Sequence, residues 1–355
     1  MVTIIIAVLI SAVIVVGIIR ELIHIRSEST TPIPTTANAV HGTPSTLPFS
    51  TSGVIYFASG FDSVGAMKAD GAGAESVYSL PGADQSQGQI TSLDASRNGS
   101  EIVYTYSQDT TTGKGQDCIF SLSTDGSDPT SLTPNCTATG SPNDDSQAVL
   151  SADGKTVYFF SYGRANEPGI YKEPSSGGNA TLVVSLPHVN PITNRPVPPS
   201  SLALSPDGST LAFPYFKDLS LIPHLYTVHT DGTGLSELAS APAYVDEVNE
   251  WSPDGSQLLA VTGSNNGNLQ ILNARTGAIV RTLATATVEQ AFARASWSPD
   301  GSLIAYDLNG ALEDYNIYLI RSSGGTSYQI TSAGRNRIPE WTSQISPPLG
   351  GAPIN

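Results

Sequence analysis

Two cysteines, five histidines and a few paired carboxylates are the residues of this 355-residue chain whose types suit chemistry. Cys118 and Cys136 flank the turn Asp125-Gly126-Ser127, so that one opens a strand, the other closes the next, and they face each other across a hairpin. A disulfide there closes a loop of about 18 residues and contributes on the order of 3 kcal/mol by chain-entropy arithmetic. The other reading is two unpaired buried thiols. Two cysteines with no neighbouring histidine do not make a zinc site, and His24, His41, His188, His224 and His229 are scattered without ligand spacing. Asp144-Asp145 and Asp246-Glu247 could each hold a calcium ion, but neither has the regular oxygen-ligand spacing of a dedicated loop, so solvated surface carboxylates are expected. The chain has no nucleophile elbow, phosphate loop, dinucleotide fingerprint or His-Glu-x-x-His helix. We therefore expect no enzyme, no metal and no cofactor.

Three aspartates look catalytic by repetition alone: Asp207, Asp254 and Asp300, each inside Ser-Pro-Asp-Gly-Ser. The phrase itself explains them. Pro fixes φ for the second position of a β-turn, Asp caps the third with its side chain, and Gly takes the conformation that other residues resist. Looser copies lie at Ser151-Ala152-Asp153-Gly154 and Arg97-Asn98-Gly99-Ser100. Behind each Gly runs a short strand: Ile102 to Tyr106, Thr156 to Phe160, Thr210 to Phe213, Gln257 to Val261 and Leu303 to Tyr306. The steps between Gly99, Gly154, Gly208, Gly255 and Gly301 are 55, 54, 47 and 46 residues. Repeats of this length with four strands each are propeller blades. The chain's three tryptophans, Trp251, Trp297 and Trp341, share one phase of the repeat, and Glu340-Trp341-Thr342 echoes Glu250-Trp251-Ser252. No second strand follows Trp341, whereas Gly53 to Phe57 reads as a second strand without its first. The two ends are thus expected to share a blade, which gives an all-β, six-bladed propeller with no long open edge.

The Ser-Pro-Asp-Gly phrase, followed by Leu-Ala-Phe, Leu-Leu-Ala or Leu-Ile-Ala, then an Ile-Tyr or Leu-Tyr strand and an Asp-Gly turn, resembles the propeller repeats of TolB and its relatives. The resemblance covers about residues 53 to 342. It implies a six-bladed propeller and nothing about activity, and the separate N-terminal α/β domain of TolB has no counterpart here, so a Tol-system role is not carried over. The WD-repeat alternative lacks its Gly-His and Trp-Asp pairs.

Sixteen basic against 31 acidic residues give a net charge of −15, with only 13% charged residues. That surface repels the phosphates of nucleic acid and anionic lipid heads, which excludes both as partners of the propeller.

Residues 1 to 19 carry no charge, and Ile4, Ile5, Ile6, Val8, Leu9, Ile10, Val13, Ile14, Val16, Ile18 and Ile19 make the run apolar all round. It is long enough to span a membrane, and continued to residue 28 the helix would be roughly 40 Å long at about 1.5 Å per residue. No basic n-region precedes it, as a secretory signal peptide needs, and Arg20 and Arg26 follow it, which for an ordinary anchor places the propeller in the cytoplasm. The cysteine pair argues against that compartment. Residues 1 to 26 resemble the N-terminal helix of a type IV pilin, whose basic leader is removed and whose helices bundle as a filament core. Position 1 is Met rather than Phe and position 5 is Ile5 rather than Glu, so the usual pairing with a neighbour's terminal amine is unavailable. A Ser/Thr/Pro-rich linker is expected over 29–52, bare or O-glycosylated, and a Pro/Gly-rich tail over 343–355. Asn98, Asn135 and Asn179 head N-glycosylation acceptor triplets.

Three functions follow as expectations. One is a structural subunit of an extracellular filament, membrane-inserted before assembly, its partners identical subunits and a surface or glycan ligand. Another is a membrane-anchored envelope propeller that binds a protein or glycan. The last, an enzyme working through the channel, requires clustered polar side chains there.

Overall fold

The structure, a computed structural model, describes residues 40–41, 47–80, 88–108, 116–133, 144–162, 164, 167–187, 197–216, 222–263, 267–287, 290–309, 315–332 and 335–344. Its strands begin with β1 (Val40–His41) and β2 to β4 (Val54–Ser59, Ser63–Lys68, Glu75–Ser79), then β5 to β8 (Gly88–Ala95, Glu101–Gln108, Gln116–Ser123, Thr130–Ser131). They continue as β9 to β12 (Asp145–Leu150, Thr156–Ser161, Gly169–Pro174, Thr181–Ser185) and β13 to β16 (Ala203–Leu204, Thr210–Phe216, Pro223–His229, Ser236–Glu237). The last are β17 to β20 (Val245–Trp251, Gln257–Thr262, Asn268–Asn273, Ile279–Thr285), β21 to β24 (Ala291–Trp297, Leu303–Asn309, Tyr315–Arg321, Tyr328–Gln329) and β25 (Asn336–Thr342).

They form six sheets around a central channel, so the protein is an all-β, six-bladed propeller. Blades 2 to 6 each take four consecutive strands, β5 to β24, from the channel outwards. Blade 1 combines β25 as its inner strand with β2, β3 and β4, in the register Ile55↔Trp341 and Ser59↔Asn336. This pairing closes the ring.

Local chemistry makes each inner hairpin. At Ser252-Pro253-Asp254-Gly255 the N–H of Gly255 donates to the Ser252 carbonyl at 2.8 Å, and Gly255 has φ 72°. Asp254 Oδ1 accepts from the Ser256 N–H at 3.0 Å and from Ser252 Oγ at 2.6 Å, while Ser252 Oγ accepts from the Gln257 N–H at 3.0 Å. Asp207 and Asp300 make the same bonds, and so does Asp153. These accepted bonds hold all four carboxyls below the usual carboxylate range.

Six apolar clusters fill the six gaps between adjacent blades. Each tryptophan is a wedge against the blade before its own: Trp251 packs with Ala212 and Leu225, Trp297 with Leu259 and Val261, Trp341 with Leu303 and Ile317. Outside, the glycine turn between a blade's third and fourth strands lies against the outer strand of the preceding blade. A Cβ on Gly126 would stand 2.2 Å from the Val77 carbonyl oxygen, and one on Gly232 2.3 Å from that of Val183.

The stretch read as a linker is docked from Leu47 onwards. Phe49 meets the Tyr328 ring edge-on at 5.5 Å and lies 5.0 Å from the Arg321 guanidinium, and the Ser52 carbonyl accepts from Trp341 Nε1 at 2.8 Å. Upstream, β1 adds a parallel fifth strand to β24, with Val40↔Tyr328. The apolar helix expected over residues 1–28 and the tail from 345 lie outside the described residues; within them no helix is long and apolar enough to cross a membrane.

Candidate channel site

The inner strand of every blade turns one edge to the channel, where its N–H groups have no neighbouring strand to accept them. In blades 2, 5 and 6 the residue five before the turn glycine answers that need, whereas blades 3 and 4 hold Val149 and Ala203 there. Asp94 Oδ2 accepts from the Leu150 N–H at 2.5 Å, Glu250 Oε2 from the Trp297 N–H at 2.7 Å, and Ser296 Oγ from the Trp341 N–H at 2.9 Å. In each case one blade's side chain caps the next blade's inner strand. Glu340 occupies the same position in blade 1 and, among the described residues, has no hydrogen-bond donor.

Three carboxylates thus share one level of the channel, countered by arginines that cross it. Arg97, on the blade 2 turn, reaches blade 5 on the opposite side, where Nη2 donates to Glu250 Oε1 and to the Trp251 carbonyl, both at 3.1 Å. Arg294, on β21 of blade 6, pairs with Glu247 at 3.3 Å and spans the channel to Gln147 of blade 3 at 3.0 Å. At the turn-side mouth, Asp94, Arg97, Leu150, Ala152, Ser205 and Glu250 line a small cleft of about 40 Å3.

Burial and mutual repulsion push these acids upward. Asp94 rises to about 7 and Glu247 to about 8, both chiefly by desolvation, and Glu250 rises for the same cause against the pull of Arg97. Glu340 is raised well above the usual range by desolvation and by the charges of Asp94 and Glu250.

The acidic pairs expected to be solvated surface carboxylates are not. Asp145 is fully buried and takes Arg164 through both oxygens, at 2.6 Å to Oδ2 and 3.3 Å to Oδ1. Arg164 also donates to Glu173 at 3.2 Å and to the Leu132 carbonyl at 2.7 Å. Asp144 Oδ1 accepts from the Asp117 N–H at 2.9 Å, and Glu247 holds Arg294. Their sites in the fold, at the channel ends of β9 and β17, bury what an isolated acidic doublet in a loop would leave wet. Among the described residues no group of three or more histidines, cysteines or carboxylates is placed to hold a metal ion.

Asp207, Asp254 and Asp300 sit in the turns, and Trp251, Trp297 and Trp341 at or next to the ends of inner strands, so neither set forms a site. Asn98 and Asn179 are exposed, Asn98 with Oδ1 accepting from the Ser100 N–H at 3.1 Å. Cys118 is buried in β7 and disulfide-bonded. Asn135 and Cys136 lie outside the described residues. Arg97, Arg294 and Asp94 were not singled out by sequence reasoning; the signal that existed was the Glu-Trp doublet at Glu250 and Glu340.

No protein-family model matches the chain, and no curated protein matches it. Solved structures do. TolB from Acinetobacter baumannii is 16% identical, with a TM-score of 0.61 over 83% of this chain and 68% of that one. This is the TolB-like propeller fold. A structure described as TolB from Agrobacterium tumefaciens is 16% identical, with a TM-score of 0.55 over 81% and 92% of the two chains. A chain in a crystal structure of a nidogen/laminin complex is 15% identical, with a TM-score of 0.60 over 82% and 100%. At these identities the likeness is one of fold.

Proposed function

We propose that this TolB-like propeller is a non-enzymatic binding module of the cell envelope, anchored through its apolar N-terminus, that takes a protein or glycan partner at the turn-side mouth of its channel. The observation that carries this reading is the pair of arginines crossing the channel. With Arg97 and Arg294 spanning it at two levels, the axis offers a shallow mouth rather than a passage or a deep reaction chamber. Its rim consists of turns whose backbone is fixed by their own aspartates, which lowers the ordering cost of docking. In this reading Asp94 and Glu250 serve the structure, each capping a neighbouring blade, and no turnover is assigned to them.

The nidogen/laminin complex, a protein assembly that includes a similar propeller, supports a macromolecular partner. The bonded Cys118 and the uncharged run of residues 1 to 19 support an envelope location with an oxidising side. The filament reading has no observation behind it, because the helix it needs lies outside the described residues.

A photo-crosslinking amino acid at Ala152, on the mouth, and at Leu182, on the outer rim, tests the site in cells that make the protein. Ultraviolet-dependent adducts with a protein or glycoconjugate are expected at Ala152. Adducts at Leu182 alone, or at neither position, would overturn the proposal.

A further inference from the structure

The mouth contains more charge than capping requires. Glu340 caps nothing among the described residues, yet it stands in the field of Asp94 and Glu250, with Arg97 and Arg294 the cations facing the set and Glu247 held by Arg294 beside it. Arg97 is the bridging element. Its side chain retains 32% of its surface and its partner Glu250 18%, so the contact is reached by solvent from the turn side. The backbone beneath Arg97 is fixed: Ser96 Oγ accepts from the Ser100 and Glu101 N–H groups at 3.1 and 2.9 Å. Only the side chain has to move for the bridge to open.

We propose that Arg97 is a proton-operated latch across the channel mouth: it is drawn onto Glu250 while that carboxylate is ionised, and protonation of the carboxylate set releases it and opens the mouth. The order of protonation follows from the contacts. Glu340, with no donor and two acidic neighbours, takes a proton first as the pH falls. Asp94 follows, held back by the Leu150 N–H and by Arg97. Glu250 is last, because Arg97, the Trp297 N–H and Ser296 all favour its charge. Below that point the guanidinium loses the attraction that holds it across the axis and turns to solvent. The latch does not depend on a partner docking at the mouth.

The chain carries its own reporters. Trp251 follows Glu250 and its carbonyl accepts from Arg97, the Trp297 N–H binds Glu250, and Trp341 follows Glu340. These are all three tryptophans of the protein. Acrylamide quenching of their fluorescence is measured on the intact folded chain from about pH 8.5 down to about pH 4.5, a range that spans carboxylates raised in this way. Quenching is expected to rise through one transition as the pH falls. Glu250→Gln removes the titrating partner of Arg97 while keeping an acceptor for the Trp297 N–H, and should abolish the transition. Arg97→Gln should show the open, more quenched level throughout, whereas Arg97→Lys, which keeps the charge, should retain a transition. Asp254→Asn, whose side chain bonds only within its own turn, should leave the midpoint in place. A flat wild-type titration, or a transition that persists in Glu250→Gln, overturns the latch. So does an unaltered transition in Arg97→Gln. If Arg97→Gln does not fold, as circular dichroism would show, Glu250→Gln and Arg97→Lys decide the matter.

Discussion

Arg97 and Glu250, 153 residues apart in the chain, meet at 3.1 Å across the centre of the propeller. Blades 2 and 5 lie opposite one another in a ring of six, so the pair is a strut across the channel, and Glu250 extends it to blade 6 through the Trp297 N–H. A Gln at position 250 keeps an acceptor for that N–H and loses only a partly exposed ion pair, so Glu250→Gln should cost under about 1 kcal/mol. Glu250→Ala leaves the inner-strand N–H without its acceptor and should cost about 2 kcal/mol. Urea denaturation of the two variants checks the difference.

The buried acids also set how stability depends on pH. Asp94 and Glu173 are raised to about 7, Glu247 to about 8 and Asp117 to about 6, each chiefly by burial. The folded protein therefore holds protons that the unfolded chain releases near pH 4. Their contribution to stability is full below that value and is lost as the pH rises through the folded pKa values. The turn aspartates act oppositely, their lowered pKa values favouring the fold above about pH 4. Thermal unfolding should thus show a higher midpoint at about pH 5.5 than at about pH 8.5. An equal or lower midpoint at the acid end would contradict this assignment.

Two glycines with similar backbones should respond differently to alanine. Gly208 has φ 72° with nothing within 4 Å of an added Cβ, so Gly208→Ala carries the left-handed penalty alone, roughly 1 to 2 kcal/mol. Gly126 has φ 83° and the Val77 carbonyl oxygen 2.2 Å from the added atom. Gly126→Ala must also push blade 2 off blade 1, for a total of about 3 kcal/mol or more. Guanidinium melts of both variants give the comparison.

The blades were legible because their turns are chemical words. Ser252-Pro253-Asp254-Gly255 specifies its own geometry in four residues, and the orphan second strand at Val54 pointed to β25 as its partner. The channel was not legible for the opposite reason. Arg97 stands where its sister turns hold Pro206, Pro253 and Pro299, so its local context reads as a degraded turn, and only ring closure brings it to Glu250. Likewise Asp145 is a loop carboxylate by sequence, and what buries it is Arg164 from a different hairpin.

Cys118 is fully packed in β7, and Cys136, the chain's other cysteine, lies outside the described residues; their pairing is an expectation to be tested. Alkylation in denaturant without reductant should therefore add no label, and with reductant two. Cys136→Ser should lower stability by about 3 kcal/mol. Labelling of two thiols without reductant would refute the pairing.

Arg164 should be the most sensitive charged position among the described residues. It is buried against Asp145 and Glu173, stacks 4.7 Å over the Phe159 ring, and its bond to the Leu132 carbonyl ties blade 3 to blade 2. Arg164→Met fills similar volume but leaves two buried carboxyls without their cation, a loss of about 3 to 5 kcal/mol. Part of that loss should be recovered in acid, because Glu173, already at about 7 beside the arginine, rises further once the guanidinium is gone. The gap in thermal midpoint between parent and Arg164→Met should therefore narrow from about pH 8.5 to about pH 5.5. A gap independent of pH would mean that Arg164 acts by packing on Phe159 rather than by its charge.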